Sequence, residues 1–135
     1  MTTPFNDIRA GLETHLANGG FDLPIAWENK TFNPDGDEFI RPTLLPSESV
    51  QASLGDDGKT MHAGIFQIDH FVPSDTGRSQ IADKIADHFK RGTVIFSGSL
   101  CIRITSESIG RAGREEIYFI QPVNIGYQAY AKARQ

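Results

Sequence analysis

Residues 55–60 carry the motif with the most specific possible chemistry, because their sequence, GDDGKT, ends like a phosphate-binding loop. In such a loop a strand leads in and a helix leads out, so that backbone amides converge on the phosphate. The pattern also needs a glycine five residues before Gly58, where this chain has Ser53. The residues that follow have strand composition, and Asp56 and Asp57 would repel a phosphate. We therefore predict a plain hairpin turn at residues 55–58.

A second group of residues with possible chemistry is the acidic segment 33–38, which contains Asp35, Asp37 and Glu38. A calcium loop of the helix-loop-helix type needs a glycine and a bidentate glutamate at fixed positions. Here the glycine lies between the two aspartates, and position 44, where the glutamate would stand, is leucine. The segment therefore predicts a solvated turn rather than a calcium site.

The histidines and the single cysteine form no ligand or nucleophile pattern. His62 and His70 lie on one predicted strand about 26 Å apart, too far to share an ion. His70 could still meet His88 in the folded chain, which the sequence does not decide. Cys101 stands between apolar residues, as a sheet residue does, and one cysteine allows no intramolecular disulfide. We expect no catalytic residues, no cofactor and no metal site.

Two amphipathic helices are the clearest predicted elements. Thr3 can cap the first helix with Pro4 at its first position, and residues 18–20 (NGG) end it. The second is predicted to begin at residues 74–75 and to end near Lys90. The predicted apolar stripes are Phe5, Ile8, Leu12 and Leu16 in the first helix and Ile81, Ile85 and Phe89 in the second.

Apolar alternation predicts the strands that the helices cover. They are residues 25–32, 38–45, 50–54, 60–72, 93–96, 100–105, 117–120 and 123–127. Pro122 removes a ladder donor and predicts a bulge or an edge in the last strand, and residues 110–114 form a polar connector to it. The order predicts an α+β fold in which two amphipathic helices cover a mostly antiparallel (mixed) sheet.

Composition narrows the function classes. The chain has 135 residues, enough for one domain over residues 1–135, and 39% of them are hydrophobic. A net charge of −4 argues against nucleic-acid binding as the main role. No apolar run reaches the roughly 20 residues that a membrane span needs, and no export signal is visible at the N-terminus. We expect a soluble protein of a reducing compartment.

Six segments follow one another in a characteristic order. They are residues 24–34 (PIAWENKTFNP), 39–42 (FIRP), 64–68 (GIFQI), 73–77 (PSDTG), 81–89 (IADKIADHF) and 118–125 (YFIQPVNI). With the opening helix they extend over about residues 4–130, and their order resembles the tail terminator-like (minor tail, tail-completion) family of long-tailed bacteriophages. These motifs are structural, so the resemblance brings no catalytic residues with it.

The resemblance implies a structural virion protein that forms a ring, expected to be a homohexamer, on the head-proximal end of the tail tube. The ring would stop tube polymerisation and offer a surface for head–tail joining. Its implied partners are further copies of itself, the major tail tube protein, head-completion or neck proteins and the end of the tape measure protein. DNA would only pass through the lumen, and no membrane is involved. Such a protein belongs to the tail or neck of the virion and assembles in the host cytoplasm.

No motif fixes the contacts of such a ring, so we place them by surface logic. The predicted tip of the hairpin, expected to dock to the tube, is Asp56, Asp57, Gly58 and Lys59, and the predicted contact with a neighbouring subunit is Asp35, Asp37 and Glu38. Two alternatives stay open. One is a small-molecule-binding or enzymatic α+β domain with a pocket built on His70, His88 and a carboxylate. The other is a neck or head–tail connector protein of a different type.

Overall fold

A computed structural model describes residues 4–33, 37–47, 50–51, 59–73, 81–115 and 117–132 of the chain. Within these residues the fold is α+β, as predicted, with two helices on one antiparallel sheet of seven strands. The elements are α1 (Pro4–Ala17), β1 (Phe39–Pro46), β2 (Val50–Gln51), β3 (Lys59–Pro73), α2 (Ala82–His88), β4 (Val94–Ser97), β5 (Leu100–Ile109), β6 (Gly113–Glu115) and β7 (Tyr118–Lys132).

The sheet is built around its two longest strands, β3 and β7, and has the order β1-β3-β7-β5-β4. The short strand β2 pairs with β3, and β6 pairs with β7. Lys59 lies opposite Lys132 at one end of the central pair, and Pro73 lies opposite Tyr118 at the other. We call these the β2 end and the β6 end of the sheet.

The main core lies between one face of the sheet and the two helices. In α1 the residues at i, i+4 and i+8 of the predicted stripe, Ile8, Leu12 and Leu16, are buried as predicted. Phe5 departs from the prediction, because it is 42% exposed and its ring lies against the Arg9 guanidinium, 5.1 Å from the ring centroid. The sheet contributes to this core Ile40, Leu44, Phe66, Ile68, Ile95, Leu100, Ile102, Ile104, Val123, Ile125, Tyr127, Ala129 and Ala131.

Helix α2 is shorter than predicted. It begins at Ala82, and the backbone of Ile81 (φ −120°, ψ 0°) is not helical. The predicted start at Ser74 and Asp75 lies outside the described residues. The buried stripe of Ile81, Ile85 and Phe89 is confirmed.

The predicted strand at residues 25–32 is wrong. Only Ile25 pairs with the sheet, in a single parallel bridge to Ile40. The chain then turns, and the Glu28 side chain connects it to two other elements. Its Oε1 accepts a hydrogen bond from the Leu44 N–H (2.8 Å) and one from the Arg9 guanidinium (2.7 Å). This segment is therefore attached to β1 and α1 by one carboxylate, and not by a ladder of backbone hydrogen bonds.

The prediction that Pro122 marks a bulge or an edge is also wrong, because β7 is continuous and central. The Gly110 N–H donates to the Pro122 carbonyl at 2.9 Å, so this carbonyl points toward the β5 side. The missing N–H of the proline points the same way. On that side β5 pairs with β7 only as far as Val123, and β6 begins to pair at Ile120. Pro122 therefore faces a gap between two ladders, where no donor is needed.

The other strands follow the predictions more closely. Residues 38–45 correspond to β1, residues 93–96 to β4, and the alternation of residues 100–105 to the first half of β5. The predicted connector at residues 110–114 is shorter than expected, because Gly113–Glu115 forms β6 against β7. The predicted hairpin arms pair as β2 and β3, with Val50 opposite Met61. Residues 52–58, which join them, lie outside the described residues.

Gly64, in the Gly-Ile-Phe segment of β3, sits where a side chain has no room. A Cβ atom at this position would lie 2.5 Å from the Leu45 carbonyl oxygen and 2.8 Å from the Tyr127 hydroxyl. Because one of these neighbours is backbone, we expect Gly64→Ala to lower the free energy of unfolding by about 1–3 kcal/mol. Urea denaturation measures this, with Gly113→Ala in β6 as the matched control, since nothing lies within 4 Å of its Cβ position. Equal stabilities of the two variants would contradict this account of the glycine.

Candidate assembly surface

The face of the sheet opposite the helices, which we call the open face, carries a row of mostly exposed apolar side chains at the β2 end. Phe96 of β4, 77% exposed, lies opposite Cys101 of β5, and Met61 of β3 lies opposite Tyr130 of β7, which is 46% exposed. The pairing of β5 with β7 begins with Ile102 opposite Ala129, and Cys101 and Tyr130 are the next residues of the two strands. The four side chains therefore form one row across the sheet. We call Phe96, Cys101, Tyr130 and Met61 the apolar band. Leu45, Ile65 and Val94 add exposed apolar surface on the same face. Contiguous exposed apolar surface of this kind marks interaction sites.

The same end of the sheet has a free edge. β4 is the last strand on its side of the sheet, and within the described residues no strand pairs with its outer edge. An unpaired strand edge can accept another chain by backbone hydrogen bonding. The most exposed aromatic residue, Phe96, lies on this edge strand.

A groove of about 500 Å³ lies on the open face toward the β6 end. Its floor includes Asp69, whose carboxylate is buried and accepts a hydrogen bond from the Gln67 amide at 2.9 Å. The Arg41 guanidinium lies 3.5 Å from Asp69 and 4.6 Å from the centroid of the Phe71 ring. The lining residues are Arg41, Gln67, Asp69, Arg111, Gly113, Arg114, Glu115, Ile120 and Pro122. We call this feature the arginine groove.

The structure places three of the seven predicted contact residues. Asp37 is exposed, and its carbonyl accepts a hydrogen bond from the Tyr118 hydroxyl at 3.2 Å, at the β6 end. Glu38 lies 2.7 Å from Nε2 of the buried His70. Lys59 is the first residue of β3, at the β2 end. Asp35, Asp56, Asp57 and Gly58 lie outside the described residues. Because a strand follows residues 55–58, the phosphate-loop interpretation lacks its helix.

The pocket that the enzymatic alternative needs is not assembled, because His88 pairs with His15. The two rings stack with their centroids 3.9 Å apart, and each Nε2–H donates to the other residue's carbonyl oxygen, at 2.8 and 2.6 Å. This pair joins the ends of α1 and α2. His70 is held by Glu38 instead. Among the described residues no three metal-ligating side chains come together.

Burial lowers the pKa of both His15 and His70, against the opposing effect of their hydrogen bonds. Below the unfolded value of about 6.5, the unfolded chain therefore binds more protons than the folded chain. We expect the free energy of unfolding to fall as the pH drops from about 7 toward 5.5, which denaturation at several pH values measures. A His15→Gln, His70→Gln double variant should show a shallower dependence. A wild-type stability that rises toward pH 5.5 would contradict this.

A family model described as phage tail terminator protein matches residues 7–127. The chain belongs to the phage tail terminator family. Among solved structures 13 chains match, and for one of them the TM-score is 0.73 and the identity 26%, over 96% of this chain and 97% of that chain. No curated protein matches significantly.

Membership of the tail terminator family confirms the resemblance and gives the chain a structural role in the virion tail. The family is one of structural proteins rather than enzymes. In the part of the chain that the structure describes, no helix is long and apolar enough to cross a membrane. For a tail terminator, the surfaces that matter are those that meet other chains, and sequence reasoning missed both the apolar band and the arginine groove.

Proposed function

We propose that this chain forms a ring, with six copies as our expectation, that caps the head-proximal end of the tail tube. The ring ends tube polymerisation and provides the surface for head–tail joining. The observation that carries the proposal is the family match over residues 7–127. The proposed partners are the tube protein, the neck proteins and the end of the tape measure protein, with DNA passing through the lumen.

The open face supports contact between copies of the chain. The fully buried centre of an interface between identical chains is more apolar than ordinary protein surface, and the apolar band offers such a centre with Phe96 at its edge. A ring also needs two different surfaces on each copy, because a contact between identical surfaces closes with two copies. The two ends of the sheet differ in this way, since one carries the apolar band and the other the arginine groove.

The proposal is tested by the solution mass over a concentration series, measured by light scattering, with negative-stain images of the same fractions. The expected species has about six times the 14.9 kDa of one chain and an open centre. If the chain stays monomeric, the same measurement is repeated with purified tail tubes, on whose ends the ring would then assemble. A chain that stays monomeric and also does not bind to tube ends would contradict the proposed function.

A further inference from the structure

The outer edge of β4 presents backbone hydrogen-bonding groups to which no other described strand pairs. The Ile104 N–H donates to the Thr93 carbonyl at 2.9 Å, so this carbonyl points toward β5. Because backbone groups alternate in direction along a strand, the N–H and carbonyl groups of Val94 and Phe96 point away from β5. Within the described ranges no strand lies against this side of β4. Two N–H groups and two carbonyls therefore face outward, in position to bind a further strand.

The opposite edge of the sheet, along β1, is closed. The Ile40 N–H donates to the Pro24 carbonyl at 3.0 Å, and the Ile40 carbonyl accepts from the Ala26 N–H at 2.7 Å. Pro42 and Pro46 have the same direction in the strand as Ile40, and a proline has no N–H to donate. Prolines, charges and covering segments protect strand edges from unwanted pairing. β4, with the sequence VIFS, carries neither a proline nor a charge.

A cleft of about 240 Å³ lies beside the unprotected edge, between α1 and β4. It is lined by Ala10, Gly11, Thr14, His15, Asn18 and residues 95–97, and we call it the edge cleft. These side chains are mostly small, and no acid, lysine or arginine is among them. In a strand added to β4, successive side chains would point alternately into the edge cleft and toward the open face. Proteins that bind extended peptides by strand addition use main-chain hydrogen bonds for affinity and such side-chain pockets for specificity.

A second copy of this chain is a poor occupant of the edge cleft. β4 of one copy can pair with β4 of another, but a contact between identical surfaces closes with two copies. It cannot pair with β1 of the next copy, because that edge is closed. The proposed ring therefore leaves β4 uncovered in every copy. Since an uncovered edge invites aggregation, we expect the first partner of the ring to cover it, and in the proposed function that partner is the tube end.

We propose that the edge cleft binds an extended segment of the tail tube protein, which adds to β4 as a further strand. This inference rests on the proposed function, because that function brings the tube end to the copies of the ring. The segment forms main-chain hydrogen bonds with Val94 and Phe96. It places an uncharged side chain of small or medium size in the edge cleft and apolar side chains beside Phe96 on the open face.

The test uses two pairs of full-chain variants. Val94→Pro removes an outward N–H without breaking the ladder between β4 and β5, and Val94→Ala is its control, because it shortens the same side chain and keeps the N–H. Ala10→Phe fills the edge cleft, and Asn6→Phe places the same ring at an exposed residue of α1 outside the cleft. Circular dichroism shows whether each variant is folded. Light scattering measures the mass without tubes, and cosedimentation with purified tail tubes measures binding to tube ends.

Val94→Pro and Ala10→Phe should bind tube ends at least about tenfold more weakly than their controls, because the added strand loses a hydrogen bond or its pocket. Without tubes, all four variants should have the mass of the wild type. If Val94→Pro does not fold, the Ala10→Phe pair decides alone.

Three results would overturn this inference. If the wild type binds tube ends and each variant binds them as well as its control, strand addition is wrong while the ring stands. If Val94→Pro without tubes differs in mass from Val94→Ala, a second copy occupies the edge instead of the tube protein. If the wild type does not bind tube ends at all, the proposed function fails, and this inference fails with it.

Discussion

Replacing Phe96 with aspartate should weaken self-association of this chain by a factor of about ten or more, because a buried aromatic residue at an interface often contributes 2 kcal/mol or more. The aspartate would place a charge in the apolar band, where its desolvation opposes contact with a second copy. The fold should not change, because Phe96 is 77% exposed in the single chain. Light scattering over a concentration series measures the effect.

Phe5→Asp is the matched control for this prediction. It makes the same chemical change at an exposed phenylalanine on the helix side, where Phe5 is 42% exposed. Aspartate in the first turn of α1 also interacts favourably with the helix dipole, so the substitution should not destabilise the helix. Equal assembly of Phe96→Asp and the wild type would exclude the apolar band as the contact between copies. Equal losses in both variants would show that the effect is not specific to the open face.

Replacing Phe89 with alanine should lower the free energy of unfolding by about 3–5 kcal/mol, a large part of the total stability of a domain of this size. Phe89 is fully buried, with its ring 5.9 Å from that of Phe66 on β3 and 4.7 Å from that of His15 on α1. It therefore joins both helices to the sheet. The helix before it has only seven residues, too few to be stable without packing.

Phe96→Ala is the matched control, since it removes the same ring from an exposed position. At concentrations where the chain is monomeric, its free energy of unfolding should stay within about 0.5 kcal/mol of the wild type. Urea denaturation of the two alanine variants makes the comparison. If Phe89→Ala lowered the free energy of unfolding by less than about 1 kcal/mol, the packing of α2 would not depend on the Phe89 side chain.

Elements with a complete local pattern were predictable from the sequence. Leu12 and Leu16 in α1, and Ile102 and Ile104 in β5, repeat with the period of their element, and all four are buried. Prediction failed where contacts with a distant part of the chain decide which secondary structure a segment adopts or where it lies in the sheet. Residues 25–32 have strand composition, but the side chain of Glu28 ties them to β1 and α1. The central place of β7 depends on the gap that β5 and β6 leave beside Pro122.

The candidate surfaces could not be predicted for the same reason. Arg41 and Arg114 come from strands far apart in the sequence, and only the order β1-β3-β7 with β6 beside it brings them to one groove. His15 and His88 are separated by 73 residues, and no spacing rule connects them. The predicted hairpin is a local pattern by contrast, and its arms pair as β2 and β3, whereas residues 55–58 lie outside the described residues.

Growth of the tail tube in the presence of this chain tests the central claim most directly. The tube protein that assembles with this chain is polymerised with and without it, and tube lengths and ends are measured in negative-stain images. We predict tubes that stop growing and carry one ring of this chain at one end, and failure of Phe96→Asp to form those rings. Tubes that grow to the same length with uncapped ends, at chain concentrations well above those of tube ends, would contradict the account.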